Sequence, residues 1–325
     1  MNNTTEIGSH PLQKHFSLEP QITWYWSLRI IISLVTVLGN GLVIFLITTR
    51  KSLQVTCNWF VLSLAVSDFY VGLVITPTGL TCSYWTRCDW RPELVVYNFL
   101  LYASTLNLWA MTWDRYNAIV CPFKYITRMT TKRTLILVSL PWITSLLASS
   151  IRLSWLYDND LRSKVDAYYS VVIDLWFGVF SCLLFLVIYV KILIVIRKHS
   201  RHVASLRAQL SFNTSSRVAC RNEQERVSAK ILGIIILLFV ACYFTNIYVS
   251  FCSNFKLCSP SPNVSLASIL MVHVNCALNF LVYALLKKDF RSQLRRLFKC
   301  GNEVTAAEIR GLSLTAWMGA RSSTE

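Results

Sequence analysis

The sequence predicts an all-α membrane protein, a bundle of seven transmembrane helices with a short amphipathic helix after the seventh span. Of its 325 residues, 54% are hydrophobic and 15% are charged, whereas a soluble protein has about 45–50% and about 25%. Seven apolar runs are long enough to cross a bilayer, which takes about 20 residues. They are the spans Trp24 to Thr49, Cys57 to Leu80, Leu94 to Val120, Thr134 to Ile151, Tyr168 to Ile196, Ile231 to Phe251 and Val264 to Leu286.

The distribution of basic residues predicts the orientation of the spans. With the N-terminus outside, 24 of the 32 Lys and Arg residues lie in inner segments and 8 lie outside. This bias predicts a multi-pass protein of the plasma membrane with an extracellular N-terminus and a cytoplasmic C-terminus. The net charge of +16 is therefore a topology signal, and we expect no nucleic-acid binding. The expected parts are an extracellular N-terminus (1–23), a transmembrane domain (24–286), an amphipathic surface helix (287–300) and a cytoplasmic tail (301–325).

The outer face carries the residues that we expect to be covalently modified. Glycosylation sequons occur at Asn2, Asn3 and Asn263. Four of the eleven cysteines lie on the oxidising side, and they allow three disulfide connectivities. Two local bridges, each closing over five intervening residues, are the simplest arrangement. The four cysteines are Cys82, Cys88, Cys252 and Cys258.

The segment after the seventh span has the pattern of an amphipathic helix. Its apolar residues recur at helical spacing among Lys and Arg, which predicts a helix lying on the anionic inner leaflet. Cys300, at the end of this segment, is a candidate palmitoylation site. The apolar residues are Phe290, Leu294, Leu297 and Phe298.

A polar cluster lies within the spans, where ionisable residues are costly and mark function. Asp68 is midway along the second span, and four further oxygen-bearing side chains are expected at the same depth. Such a set suits a hard cation such as sodium, which prefers oxygen ligands. Ordinary hydrogen bonding between helices is the alternative. The four side chains are Asn40, Ser104, Asn275 and Asn279.

Each span also carries a short motif. The motifs are Gly39-Asn40, Leu64-Ala65-Val66-Ser67-Asp68, Asp114-Arg115-Tyr116, Trp142, Tyr189, Phe239 with Cys242, and Asn279-Phe280-Leu281-Val282-Tyr283. Seven motifs in this order, each in its own span over Gly39 to Cys300, resemble the class A, rhodopsin-like G-protein-coupled receptors. A looser similarity points to amine, trace-amine and adenosine receptors.

The resemblance implies a switch at the cytoplasmic end of the third span. There Arg115 is held in the resting state by Asp114 and by Glu225. An exposed ion pair contributes only about 0–1 kcal/mol, so such a lock biases a two-state equilibrium without freezing it. Contact between Arg115 and lipid phosphate is the alternative. The resemblance also implies coupling to a heterotrimeric G protein, and arrestin and a receptor kinase as further partners. The other residues assigned to coupling are Tyr116, Tyr189, Asn279 and Tyr283.

Three departures from the family pattern indicate a divergent member. The sixth span has Cys242-Tyr243-Phe244-Thr245 where the family has Cys-Trp-x-Pro. Thr245 of that segment therefore replaces a proline, and Phe280 and Ser181 also stand where prolines are usual. The kinks of the fifth, sixth and seventh helices are thus expected to lose their cause. The outer loop Ser154 to Ala167 contains no cysteine, so the family's bridge from the third helix to this loop cannot form.

The resemblance also identifies the positions expected to face a ligand. Tyr97 occupies the place of the aspartate that binds the ammonium group in aminergic receptors. Asp174 is the carboxylate expected inside the fifth span, with an exposed position at the helix end as the alternative. His273 stands where opsins carry their retinal-binding lysine, and hydrogen bonding to a neighbour is its alternative role. Arg29 is expected to extend to the outer interface. The remaining ligand-facing positions are Glu93, Asn98, Leu101, Phe177, Tyr243, Asn246, Ile247 and Ile269.

The sequence therefore predicts a receptor that couples an extracellular small molecule, with an amine as one candidate class, to a cytoplasmic G protein. No zinc-ligand spacing, phosphate-binding Gly loop or paired carboxylates indicate an enzyme, and we expect no cofactor beyond an allosteric sodium ion. A receptor that no longer signals is the first alternative, because the helix prolines are missing. A small-solute transporter is the second, although no repeated halves are found.

Overall fold

The computed structural model describes residues 23–84, 88–209, 216–287 and 289–297. In these ranges the chain is helical without strands, and seven helices are long and apolar enough to cross a membrane. The predicted fold class is therefore confirmed. The first four spanning helices are Thr23–Thr49, Thr56–Tyr70 continued through Val71–Ile75 and Thr76–Tyr84, Trp90–Val120, and Thr131–Ile151. The fifth consists of Asn159–Ile173, Asp174–Phe180 and Ser181–Gln209, the sixth is Ser216–Phe255, and the seventh is Pro262–Leu286.

Local capping explains where several helices begin. Asp89 accepts a hydrogen bond from the Arg91 amide before the third helix, and Asp158 accepts two from the amides that open Asn159–Ile173. Each carboxylate satisfies amide groups that have no partner within the helix. Two shorter elements join spanning helices on the side predicted to be cytoplasmic, which is called the inner side below, the opposite side being the outer one. They are a 3₁₀ turn at Lys51–Leu53 and a helix at Pro122–Arg128.

The segment expected to be an outer loop is largely helical. The fourth helix is followed by one turn, Leu153–Leu156, and then by Asn159–Ile173, which runs directly into the fifth helix. The sequence suggested a loop because this segment is polar, but the Asp158 cap starts a helix there. The fifth helix is therefore longer than its apolar stretch.

The apolar core fills the half of the bundle that contains Asp114-Arg115-Tyr116 and brings six of the spanning helices together. Leu64, Leu108, Phe185, Ile235 and Phe239 are all at most 1% exposed. Burying such side chains stabilises a structure by about 1.5–3 kcal/mol each in water, but within lipid the gain comes mainly from close packing. This core connects the outer half of the bundle to the end that holds Arg115.

Polar side chains also connect the helices. The Trp142 indole donates to Ser63 Oγ at 2.9 Å, and Ser63 donates to Asn107 Oδ1 at 2.7 Å. These bonds join the second, third and fourth helices. Trp142, a motif residue of the fourth span, therefore acts as an interhelical donor.

Disulfides and an ion pair stabilise the outer face. Both local bridges favoured by the sequence are present, Cys82 with Cys88 and Cys252 with Cys258. The Arg152 guanidinium forms two hydrogen bonds with Asp166, at 2.8 and 2.7 Å. This bidentate pair attaches the outer segment to the end of the fourth helix. Of the three sequons, Asn263 is exposed near the start of the seventh helix, whereas Asn2 and Asn3 lie outside the described residues.

The missing prolines have different consequences in the fifth and seventh helices. The fifth keeps a wide π-helical stretch over Asp174–Phe180, contrary to the expectation that its irregularity would be lost. Ser181 donates to the Trp176 carbonyl at 3.2 Å and accepts from the Trp109 indole at 3.1 Å. The seventh helix continues through Phe280, whose ring lies where a β-carbon of Gly39 would be.

A helix over 289–297 follows the seventh span, as predicted. Phe290 is fully buried, and Leu294 and Leu297 pack against the apolar core. Gln293 donates to Ser52 of the first inner turn at 3.1 Å. Its apolar face therefore contacts the bundle. Phe298 and the candidate palmitoylation site Cys300 lie outside the described residues.

Candidate functional site

Asp68 is at the centre of a buried polar cluster in the middle of the bundle. Its carboxylate is fully buried and accepts hydrogen bonds from Ser104 Oγ at 2.6 Å and Asn279 Nδ2 at 2.9 Å. Asn40 donates to the Cys276 carbonyl of the seventh helix at 3.2 Å. The first, second, third and seventh helices thus meet through polar groups at one depth.

The same cluster retains hydrogen-bonding capacity. The amide oxygens of Asn40, Asn275 and Asn279 are buried and have no partner among the described residues. Buried polar atoms are usually satisfied, so three unpaired acceptors on the first and seventh helices, one of them on the Asn279 that bonds Asp68, favour an additional positive or donating group. Oxygen donors of this kind suit sodium or a water network.

A second polar cluster lies at the C-terminal end of the third helix, the end predicted to be cytoplasmic. Asp114 is fully buried, and its Oδ2 accepts a hydrogen bond from Arg115 Nε at 3.0 Å and a further one from Arg115 Nη2. Its Oδ1 accepts from the Tyr125 hydroxyl at 2.7 Å. Burial, and then the Asp114 charge, raise the pKa of Tyr125, so its hydroxyl remains a donor. Tyr125 lies in the short helix Pro122–Arg128, and no motif in the sequence pointed to it.

Of the other predicted switch residues, Tyr116 and Tyr189 have side chains that the structure describes. Tyr189 extends towards the sixth helix, where its hydroxyl lies in the space that a β-carbon of Gly233 would fill. Tyr116 is half-buried and stacks on Trp113, with ring centroids 5.9 Å apart. The side chains of Glu225 and Tyr283 lie outside the described residues.

Among the predicted ligand-facing residues, Tyr97 and His273 lie together. Their ring centroids are 6.0 Å apart, between the third and seventh helices. His273 Nδ1 is 2.8 Å from the Ile269 carbonyl, and a carbonyl only accepts, so Nδ1 carries the proton. Its Nε2, an acceptor without a partner among the described residues, is buried, and so is the unpaired Nδ2 of Asn98.

Asp174 lies at the contact between the fifth and sixth helices. It is half-buried and accepts a hydrogen bond from Ser250, which in turn accepts from Asn254 at 3.0 Å. One turn further, Phe177 stacks on Tyr102 with centroids 4.3 Å apart. Asp174 is therefore not an exposed residue at a helix end. The sequence missed Ser250, Asn254 and Tyr102, because helical spacing does not reveal which neighbour a side chain meets.

Tyr243 replaces the tryptophan usual in the sixth helix. It stacks on Phe239 at 4.2 Å, and its hydroxyl is 3.2 Å from Thr105 of the third helix. Leu101 packs against the same apolar core, whereas Asn246 is half-buried. Tyr243 thus joins the half of the bundle with the predicted ligand-facing residues to the apolar core.

Arg29 was expected from the sequence to extend to the outer interface, but the structure places it inside the bundle. It is only 7% exposed, donates to the Tyr25 hydroxyl at 2.6 Å, and lies 5.0 Å from the Trp26 ring centroid. Its guanidinium and the Glu93 carboxylate both lie near Gly79 of the second helix. Aromatic faces and a hydroxyl stabilise the cation inside the bundle, which a count of apolar residues cannot predict.

Comparison with known proteins agrees with this architecture. The chain is 28% identical to an octopamine receptor beta-2R of Chilo suppressalis, covering 92% of this chain and 84% of that protein. It is 29% identical to a histamine H2 receptor of Cavia porcellus, covering 83% and 78%. It is 27% identical to an adenosine receptor A2b of Gallus gallus, covering 85% and 88%.

The family profile described as 7 transmembrane receptor (rhodopsin family) matches residues 39–283. This range extends from Gly39 of the first helix to Tyr283 of the seventh, and contains both the Asp68 and the Asp114 clusters. The chain therefore belongs to the rhodopsin family of seven-transmembrane receptors.

Proposed function

We propose that this chain is a G-protein-coupled receptor of the plasma membrane, with its N-terminus outside, that transmits binding of an extracellular small molecule to a cytoplasmic heterotrimeric G protein. Arrestin and a receptor kinase are its further proposed partners, and the proposal gives the chain no catalytic role. The observation that carries it is the Asp114 carboxylate, shared between Arg115 and Tyr125 at the cytoplasmic end of the third helix.

This arrangement supports switching because the buried carboxylate restrains Arg115. Asp114 needs its partners, since an unpaired buried charge is costly, so Arg115 is released only when the inner ends of the helices rearrange. A ligand then shifts the equilibrium by its difference in affinity for the two states. The apolar core, with Tyr243 at its outer edge, connects the ligand-facing half to this switch.

A protonated amine is the ligand class that the outer half favours. Asp174 is half-buried, and Ser250 is its hydrogen-bond donor among the described residues. A cationic ligand is the least costly way to keep such a carboxylate ionised. Two of the three relatives described above are named for octopamine or histamine, both amines. The amine is then anchored at the fifth helix, opposite to the usual aminergic position at Tyr97.

Aromatic side chains near this position are suited to a cation. Phe177 follows Asp174 by about one turn and is backed by Tyr102, while Tyr97 and Tyr243 extend from the third and sixth helices. A cation over such a ring gains about 0.5–2 kcal/mol. Asn98 and His273 add an unpaired donor and an unpaired acceptor for polar groups of the ligand.

We also propose that the Asp68 cluster holds a sodium ion in the resting state. Asp68 supplies the charge, and Ser104 with the amide oxygens of Asn40, Asn275 and Asn279 supplies neutral oxygen ligands. The three unpaired amide oxygens are the observation that supports this fit. Bound sodium would favour the collapsed cluster over an opened one, because opening separates the ligands.

The receptor proposal is tested by G-protein dissociation in cells, with a panel of amines, nucleosides and peptides. We expect at least one compound to cause dissociation, and Arg115→Ala to abolish the response at matched surface expression. Antibody access to an N-terminal tag on intact cells tests the orientation. If the G protein dissociates neither with any compound nor in the absence of ligand, the chain is better described as a receptor that no longer signals.

The amine proposal is tested with the best agonist from that panel. Asp174→Asn should weaken a cationic agonist by about tenfold or more, since hydrogen bonds to charged groups contribute about 1.5–3 kcal/mol. Glu93→Gln removes the other carboxylate among the expected ligand-facing positions, the one near Arg29, and so tests the rival anchor. An uncharged best agonist contradicts the proposal, as does potency lost in the Glu93 variant and kept in the Asp174 variant.

A further inference from the structure

A groove opens on the lipid-facing surface of the bundle, between the third, fourth and fifth helices. Its volume is about 760 Å³. Ala110 and Pro141 are among its lining residues, and Trp113 and Val187, which also line it, are 51% and 53% exposed. Because these helices cross the membrane, the exposed side chains face the acyl chains of the bilayer.

The groove lies in the half of the bundle nearest the switch. Along the third helix it extends from Leu106 to Tyr116, the residue that follows Arg115. Ten residue steps of helix correspond to about 15 Å, which is about half of the 30 Å hydrocarbon core. The groove therefore has the length of one leaflet, the one at the Arg115 end of the bundle.

The charge at one end of the groove is positive. Lys191 of the fifth helix is the one charged residue among the described residues that line it. Arg133 precedes the lining residue Leu137 by four positions, and Lys198 follows Lys191 by seven. Residues four or seven positions apart lie on the same face of a helix. On the fourth and fifth helices, the apolar face that lines the groove therefore ends in basic residues.

We propose that this groove binds an anionic phospholipid of the cytoplasmic leaflet. One acyl chain lies along Ala110, Trp113 and Val187, and the head group, with its net negative charge, lies beside Lys191. The apolar lining suits an acyl chain. Among the described residues the lining has no acidic side chain, so it offers no partner to a head group of net positive charge. The cytoplasmic leaflet is the one rich in anionic lipid, so the inference rests on the orientation proposed above.

The test measures lipid retained by the purified receptor. The receptor is reconstituted in nanodiscs of phosphatidylserine and phosphatidylcholine in equal amounts, transferred to detergent, and analysed by native mass spectrometry. We expect phosphatidylserine to be retained about fivefold over phosphatidylcholine, the factor that one lysine contributes beside anionic lipid. Lys191→Gln should remove this preference, whereas Lys51→Gln, at an exposed inner lysine outside the groove, should keep it.

Two further variants test the groove itself. Ala110→Phe should fill it and reduce retention of both lipids, and Val187→Phe narrows it from the lipid side, where the fold is least affected. Equal retention of the two lipids by the wild type overturns the proposal, and so does unchanged phosphatidylserine retention in Lys191→Gln and Val187→Phe. Both nanodisc leaflets have the same composition, so the lipid measurement does not depend on the orientation of the receptor. A failure of the lipid proposal therefore leaves the proposed receptor function and orientation untouched.

Discussion

At the scale of single residues, Asp114 has two kinds of partner with different consequences. Arg115 neighbours it in the chain and carries the charge, whereas Tyr125 approaches from the inner connecting helix and is neutral. The raised pKa of Tyr125 keeps its hydroxyl protonated at physiological pH. Loss of Tyr125 therefore weakens the resting arrangement without removing the residue that we expect to contact the G protein.

We predict that Tyr125→Phe raises ligand-free signalling. The Asp114 carboxylate loses one of its donors, so the resting state is destabilised by about 1.5–3 kcal/mol at most. Basal G-protein dissociation at matched surface expression measures the effect, and Tyr157→Phe, at an exposed tyrosine on the outer side, is the control. Basal signalling equal to that of the wild type would show that Tyr125 does not restrain the switch.

Gly39 and Phe280 form a second residue-scale pair, because the ring fills the space beside the glycine. We predict that Gly39→Ala lowers the Tm, since overpacking costs about 1–3 kcal/mol. Combining it with Phe280→Ala should restore part of the loss, which thermal unfolding in detergent measures. A Tm loss in the double variant equal to the sum of the two single losses would contradict direct contact.

At the scale of elements, the outer helical segment is attached to the fourth helix without the usual disulfide. Arg152 bonds Asp166 bidentately, and the Trp155 indole also donates to Asp166 at 3.2 Å. Tyr169 adds a hydrogen bond to the Ala148 carbonyl at 2.7 Å. Charge pairing and hydrogen bonds thus position this segment over the outer half of the bundle.

We predict that Asp166→Asn lowers the free energy of unfolding by about 1.5–3 kcal/mol, the range for hydrogen bonds to charged groups. Arg152→Gln should cost a similar amount, and the double variant should cost less than the sum because both partners are removed. Lys164→Ala, at an exposed residue of the same helix, is the control. Fully additive losses would mean that the two side chains act independently.

At the scale of the whole molecule, two buried acidic clusters lie one below the other. The Asp68 cluster joins the first, second, third and seventh helices at mid-membrane depth, and the Asp114 cluster joins the third helix to the inner connection. The apolar core around Leu64 and Leu108 separates them. A rearrangement of the inner ends must therefore also affect the helices that meet at Asp68.

We predict that sodium lowers agonist affinity, because a cation completing its oxygen shell at Asp68 favours the resting state. The affinity is measured as sodium replaces a large organic cation at constant ionic strength. Asp68→Asn should remove the difference between the two salts. Equal affinity in both salts for the wild type, or an equal shift in the variant, would rule out the sodium site.

The amino-acid sequence alone determined the seven spans and the two local disulfides. Lipid requires long apolar helices wherever the chain crosses it, and cysteines with only five residues between them have few other partners nearby. The same logic identified Asp68, Asp114 and Arg115, since charges inside or at the ends of apolar runs stand out. Their motif order also predicted the family.

Only the tertiary structure decided which side chains meet. Helical period indicates a face, but rotation and packing of the helices choose the neighbour on that face. This is why Tyr125 at Asp114, Ser250 at Asp174 and Tyr25 at a buried Arg29 were found only in the assembled bundle. The groove beside Trp113 has the same origin, because its lining comes from three helices and its shape depends on the gaps between them.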